Sequence, residues 1–130
     1  MRYPFGMKIL ICEDEEILLT ALEFRLRKLG YEVVLAKDGR EALQLIPLQK
    51  PDLIIADVQM PHVTGLELTE QVRKGMQSDL PIIIISALEH DEFVLKALDL
   101  GANDFVTKPF KPAELVLRVQ RVFQQLAKAE

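Results

Sequence analysis

The chain has 130 residues, 49% of them hydrophobic and 28% charged, with a formal net charge of −4 and one cysteine. That length fits one domain with a real core. No run approaches the roughly 20 apolar residues needed to span a bilayer, and Met1 to Met7 lacks a signal-peptide core, so a cytosolic protein without a membrane anchor is expected. The negative charge and scattered Lys and Arg argue against direct binding of nucleic acid. Cys12, alone inside an apolar run, reads as a buried inert thiol.

After a short arm, Met1 to Met7, Lys8-Ile9-Leu10-Ile11-Cys12 is too short and apolar for anything but a strand. It ends in four acids, Glu13 to Glu16, after which Leu18, Leu22, Leu26 and Leu29 recur at helical spacing. Asp14 or Glu15 can cap that helix and Gly30 closes it. Tyr31 to Ala36 is a second strand. Asp38-Gly39 signals a turn, and Arg40 to about Leu48 forms a helix with Ala42, Leu43 and Ile46 inward, which Pro47 is expected to shorten, kink or fray. Leu53-Ile54-Ile55-Ala56-Asp57 is a third strand, closed by a carboxylate just before the turn at Pro61. A helix from about Leu66 to Met76 follows, with Leu68, Val72 and Met76 on one stripe.

Ile82 to Ile85 are four successive β-branched residues, which suggests a strand buried on both faces in the middle of a parallel sheet and ending at Ser86. A helix from about Asp91 to Leu100, stopped by Gly101, leads to a short strand, Asp104 to Thr107, and then to Lys108-Pro109-Phe110. The last helix, about Pro112 to Lys128, places Leu115, Val119, Val122 and Leu126 on one face. Strand and helix thus alternate five times with short connections, which implies a mostly parallel sheet covered on both faces.

Side chains at the carboxyl ends of such strands converge on one crevice. Glu13, Asp14, Asp57, Ser86 and Lys108 all fall there. Three carboxylates together are costly, on the order of 4 kcal/mol per close pair at an effective dielectric near 20. A raised pKa, Lys108 or a cation must offset that cost. A hard divalent ion fits best, because oxygen ligands suit magnesium and no Cys or His ligand is offered.

The set Glu13-Asp14, Asp57, Ser86-Ala87 and Lys108-Pro109-Phe110 resembles the receiver domain of two-component response regulators, from Lys8 to the end of the chain. The resemblance implies a single flavodoxin-like domain over residues 8–130, strand order 2-1-3-4-5, behind an arm of residues 1–7. It implies that Asp57 accepts a phosphoryl group from a histidine kinase or histidine phosphotransfer protein. Magnesium would be held by Glu13, Asp14, Asp57 and the carbonyl of Gln59. Lys108 would pair with the phosphoryl oxygens, and its peptide bond to Pro109 would be cis. Ser86 and Phe105 would act as the switch, Ser86 moving inward and Phe105 turning toward burial. Such a protein is a phosphoacceptor regulator in a phosphorelay, not an enzyme acting on other substrates.

The face built from the fourth helix, fifth strand and fifth helix carries Asp104, Glu114 and Arg118, part of the charge pattern of a phosphorylation-dependent homodimer, with Val94 where a basic residue is expected. Glu13 stands where many members have Asp, and Phe105 where many have Tyr. Gln59 and Leu88 occupy positions that tune hydrolysis, and the apolar Leu88 predicts a long-lived phosphoryl state. His62 and His90 read as exposed loop residues. The competing readings are a receiver-like interaction module that is not phosphorylated, a flavin-binding carrier, which Glu13 to Glu16 would repel, and a metal-dependent phosphatase using Asp57.

Overall fold

In a strand, successive side chains point to opposite faces, so an apolar run buries itself only if both faces are covered. That is the arrangement found in the computed structural model, which describes residues 6–87 and 91–129. Strands β1 (Lys8–Cys12), β2 (Glu32–Ala36), β3 (Leu53–Asp57), β4 (Ile82–Ser86) and β5 (Asp104–Thr107) form one sheet in the order β2-β1-β3-β4-β5. Every neighbouring pair is parallel. The order is the expected flavodoxin-like one.

Ile9, Ile11, Leu53, Ile55, Ile83 and Ile85 point to one side, where they meet Leu22, Leu26, Leu115, Val119 and Phe123. These come from α1 (Glu16–Lys28) and α5 (Pro112–Ala129). The alternate residues Leu10, Cys12, Ile54, Ala56, Ile82 and Ile84 meet Ala42, Ile46, Leu68, Val72 and Ala97 on the other side. These come from α2 (Gly39–Gln49), α3 (Gly65–Glu70) with the π-helical turn Gln71–Gly75 that continues it, and α4 (Asp91–Asp99).

Helix α1 ends as its sequence suggests. Gly30 takes a positive φ of 99°. Its N–H donates to the Arg27 carbonyl and the Tyr31 N–H to that of Leu26, closing the helix with both bonds of a glycine cap while Tyr31 and Leu26 share the core. Its start differs from expectation: Glu15 occupies the N-cap position without a side-chain cap bond. The Glu13 carboxylate instead accepts the Glu15 N–H at 3.1 Å.

Several other details depart from the pattern. Helix α2 is not cut short: it runs through Pro47 to Gln49 and ends on Lys50 in the left-handed region. Pro47 lies in the last turn at an exposed position, where the one helical bond it removes leaves only the final residues of the helix after it. Met76 is exposed because the wide π turn ends the helix there, its N–H closing back on the Gln71 carbonyl. Leu29, the C-cap of α1, and Leu126, late in α5, are likewise exposed rather than inward.

The sheet edge remote from Asp57 is fastened by Arg73, whose place nothing in the periodicity marks. Its guanidinium donates to the carbonyls of Gly101 (3.0 and 2.8 Å), Ser78 (2.9 Å) and Leu80 (2.6 Å) and to Asn103 Oδ1 (3.0 Å). The same Asn103 oxygen accepts the Ile82 N–H at 2.9 Å. One planar fork thus joins the end of the α3 segment, the entry to β4 and the turn before β5. Arg73→Ala strands these carbonyls and is expected to cost about 2–3 kcal/mol in urea-induced unfolding; Arg73→Lys should recover only part of it, and a loss below about 0.5 kcal/mol would contradict the role.

Candidate functional site

The parallel register brings the strand ends to one line: Cys12 lies opposite Ala56, Asp57 opposite Ile85, and Ser86 opposite Thr107. One residue beyond β1, Glu13 therefore stands beside Asp57. Both are buried in spite of their charge, Glu13 at 0% and Asp57 at 3% relative exposure, whereas Asp14 is exposed. Carboxylate oxygens of Glu13, Asp14 and Asp57 all lie within 4.8 Å of one another.

Lys108 enters this cluster from the end of β5. Its Nζ donates to Asp57 Oδ2 at 2.5 Å and to both oxygens of Glu13 at 3.2 and 3.1 Å, with Glu15 Oε2 at 3.7 Å. The Lys108 N–H donates to the Ser86 carbonyl at 2.7 Å, tying the ends of β4 and β5. The Lys108–Pro109 bond is cis, as the sequence reading expects. Ser86 is fully buried at the same edge.

Burial first, and then the Asp57 charge beside it, push the Glu13 carboxyl up to about 7, against the opposing bonds from Glu15 and Lys108. Burial alone would lower the Lys108 ammonium. Its hydrogen bonds and charge contacts with Asp57 and Glu13 outweigh that and hold it above the usual lysine range. The donor set fits a hard cation: three carboxylates in reach of one another, without a thiolate or imidazole among them. Lys108 already bonds two of those carboxylates, so a single ammonium partly neutralises a cluster that carries more negative charge than it can balance.

The loop after β3 is fixed at several points. Asp57 Oδ1 accepts the Gln59 N–H at 2.8 Å. The Gly65 N–H donates back to the Val58 carbonyl at 3.1 Å, and a Cβ on Gly65 would lie 2.5 Å from the Asp57 carbonyl oxygen, so only glycine permits this approach. Thr64 caps α3 in a reciprocal box with Glu67, both bonds 3.1 Å. Between these anchors His62 has φ +69°, and the Val63 N–H closes on the Pro61 carbonyl at 2.8 Å. That is a left-handed γ-turn on a residue with a side chain, a strain of about 1–3 kcal/mol. His62 is exposed, as expected, but its Nδ1 lies 2.9 Å from Arg40 Nη2 on α2, a contact without any signal in the sequence.

Farther from the crevice, Arg118 donates to both oxygens of Asp104 at 3.0 Å and to Glu114 at 3.3 Å. The three charges are thus paired with one another on α5 and β5. Phe105 is half-buried and packs against the cluster that contains Leu10 and Ile84. Leu88 and His90 lie outside the described residues, as do residues 1–5 of the N-terminal arm.

Known proteins share this fold. Residues 9–120 match the family model of the response regulator receiver domain. The chain is 39% identical over 118 residues to the alkaline phosphatase synthesis transcriptional regulatory protein PhoP of Bacillus subtilis, covering 91% of this chain and 49% of that protein. It is 43% identical over 121 residues to the probable transcriptional regulator ycf27 of Galdieria sulphuraria, covering 93% and 47%. The chain thus spans about half the length of the curated relatives it matches. Among solved structures, the receiver domain of the Francisella response regulator 1452 superposes with a TM-score of 0.86 at 30% identity, over 93% of this chain and 99% of that one. With the family model matched over residues 9–120 and the strand order in agreement, this chain belongs to the response regulator receiver domain family.

Proposed function

We propose that this chain is a phosphorylation-activated switch of a two-component phosphorelay, with Asp57 as the phosphoacceptor. The observation that carries the reading is the meeting of Lys108 with Asp57 and Glu13 at the strand ends, beside the third carboxylate of Asp14. Transfer would break the N–P bond of a phosphohistidine on a histidine kinase or phosphotransfer protein, its ring protonated on the other nitrogen, and form an O–P bond to an Asp57 oxygen, so that neutral imidazole leaves on the partner. Magnesium, when bound by Glu13, Asp14, Asp57 and the Gln59 carbonyl, supplies positive charge for the phosphoryl oxygens.

The chain's own residues do the rest. Asp57 is held by the Gln59 N–H on one oxygen and by Lys108 on the other, which fixes the nucleophile's orientation before a donor arrives. Lys108 then follows the new charge from the carboxylate to the phosphoryl oxygens, and Ser86 donates to that group. With Ser86 drawn inward, Phe105 moves further into the cluster it already touches, changing the surface of α4, β5 and α5. Leu95 and Leu117 on that surface are 61% and 66% exposed, apolar area that a phosphorylation-dependent homodimer would cover.

A partner helix would meet α1, which begins beside the acid cluster and exposes Ile17 at 85% and Phe24 at 66%. The protein regulates rather than catalyses on a separate substrate, and it acts in the cytoplasm; no helix among the described residues is long and apolar enough to cross a membrane. The names of the relatives make transcription the output we favour. With a net charge of −4, this segment is not the part we propose to touch DNA.

Incubated with magnesium and a small acyl phosphate, the native chain should gain one phosphoryl group by intact mass. Asp57→Asn should gain none, chelator should abolish the gain, and Lys108→Ala should gain the group but fail to dimerise. The phosphoryl state should persist for hours; loss within seconds would contradict the role given to Leu88. Because Glu13 must lose its proton to bind a cation and holds it up to about 7 in the metal-free chain, magnesium should bind more tightly as pH rises. Calorimetry should show up to about a tenfold gain in affinity between roughly pH 6 and 8, absent in Glu13→Gln.

A further inference from the structure

The loop that joins β3 to α3 carries Gln59 and the backbone next to Asp57, so its placement decides where the carbonyl of Gln59 stands. Its two ends are fastened by the loop's own neighbours, through Gly65 and the Thr64–Glu67 box. Its middle is not. There the chain makes the left-handed turn at His62, a conformation that a residue with a Cβ leaves unless something holds it.

What touches the middle of the loop is the first turn of α2, which belongs to a different crossover and carries none of the acid cluster. Asp38 caps that turn, its carboxylate accepting the Glu41 N–H at 2.8 Å, while Glu41 accepts the Lys37 N–H at 3.0 Å, so the start of α2 is itself rigid. Gly39 then comes so close to the loop that a Cβ on it would stand 2.2 Å from the Val63 carbonyl oxygen and 2.7 Å from the Val63 Cβ. The next residue, Arg40, reaches His62 Nδ1 with Nη2 at 2.9 Å. A guanidinium only donates, so the imidazole must accept at Nδ1 and carry its own proton on Nε2.

Two adjacent residues of one helix therefore seize two adjacent residues of one loop, one by the absence of a side chain and one by a directed hydrogen bond. Gly39 is buried and Val63 packs on the core, whereas Arg40 and His62 are both exposed, so the hydrogen bond between them is not part of the core. We infer that Arg40, set by the close approach of Gly39, is a positioning residue for the metal-binding loop: it holds the strained turn at His62 and so keeps the Gln59 carbonyl in place beside Asp57. The inference rests on the metal-dependent phosphoacceptor reading.

The test uses the full chain, Arg40→Ala, His62→Ala and the double variant. Amide hydrogen exchange of residues 58–64 should quicken in both single variants, while thermal unfolding stays within a few degrees of the native chain. Magnesium affinity by calorimetry should weaken about fivefold in each single variant, below the range found when deeply buried supports of metal ligands are removed. The double variant should lose no more than either single one, because both changes break one contact. With acyl phosphate as donor, the magnesium concentration for half-maximal rate should rise by the same factor and the rate at saturating magnesium should stay within about twofold.

Unchanged exchange in Arg40→Ala, faster exchange without weaker magnesium binding, or losses that add in the double variant would each overturn the inference. A native chain that binds no magnesium would sink the phosphoacceptor reading instead, and with it any role for the clasp in metal binding.

Discussion

The whole molecule depends on one ammonium group placed between two buried carboxylates. Glu13 and Asp57 are almost wholly withdrawn from water, and like charges at that separation repel strongly in a medium of reduced dielectric. Lys108 makes charge-assisted bonds to both, and so lets the sheet bring the two acids together. The arrangement remains electrically incomplete. Asp14 and Glu15 add further negative charge at its mouth, and burial first, then the neighbouring Asp57 charge, keeps the Glu13 carboxyl above the usual carboxylate range. A site in that condition favours whatever supplies more positive charge and responds to whatever moves the lysine away. Both properties suit a switch.

The crevice keeps its shape because the backbone around it comes closer than side chains allow. Gly65 lies against the carbonyl of Asp57, and Gly39 against that of Val63. These approaches give a rigid floor beneath Asp57 and anchor the loop that leaves it. On the opposite side, the bond from the Lys108 N–H to the Ser86 carbonyl makes the tips of β4 and β5 one unit. The remote end of the sheet is held separately by Arg73, which leaves the site end as the part of the fold with charge to rearrange.

Much of this was legible in the residues because burial leaves a periodic trace. Runs such as Ile82 to Ile85 announce a central strand, and a carboxylate or serine closing the first, third and fourth runs announces the crevice. The order of the strands and the roles of Asp57, Ser86 and Lys108 came from resemblance to a family, since periodicity is silent on order. What stayed hidden was carried by single polar side chains: Arg73 gathering three carbonyls and the Asn103 side chain, and Arg40 meeting His62. Nothing periodic marks such residues, because a guanidinium on a surface helix looks the same in sequence whether it meets water or a carbonyl. Pro47 misled for a related reason. Its effect depends on where in the helix it falls, and in α2 it lies in the last turn at an exposed position.

The most direct test of the charge argument is to find where a divalent ion settles. Manganese, added to an isotopically labelled chain in place of magnesium, broadens amide signals within a short radius. Broadening should centre on Glu13, Asp14 and Asp57 to Gln59, spare the region of Ser78 and Asn103 at the far edge, and vanish when excess magnesium is added. Broadening spread over the acidic surface, or none at these residues, would show that Lys108 alone balances the cluster and would contradict the account.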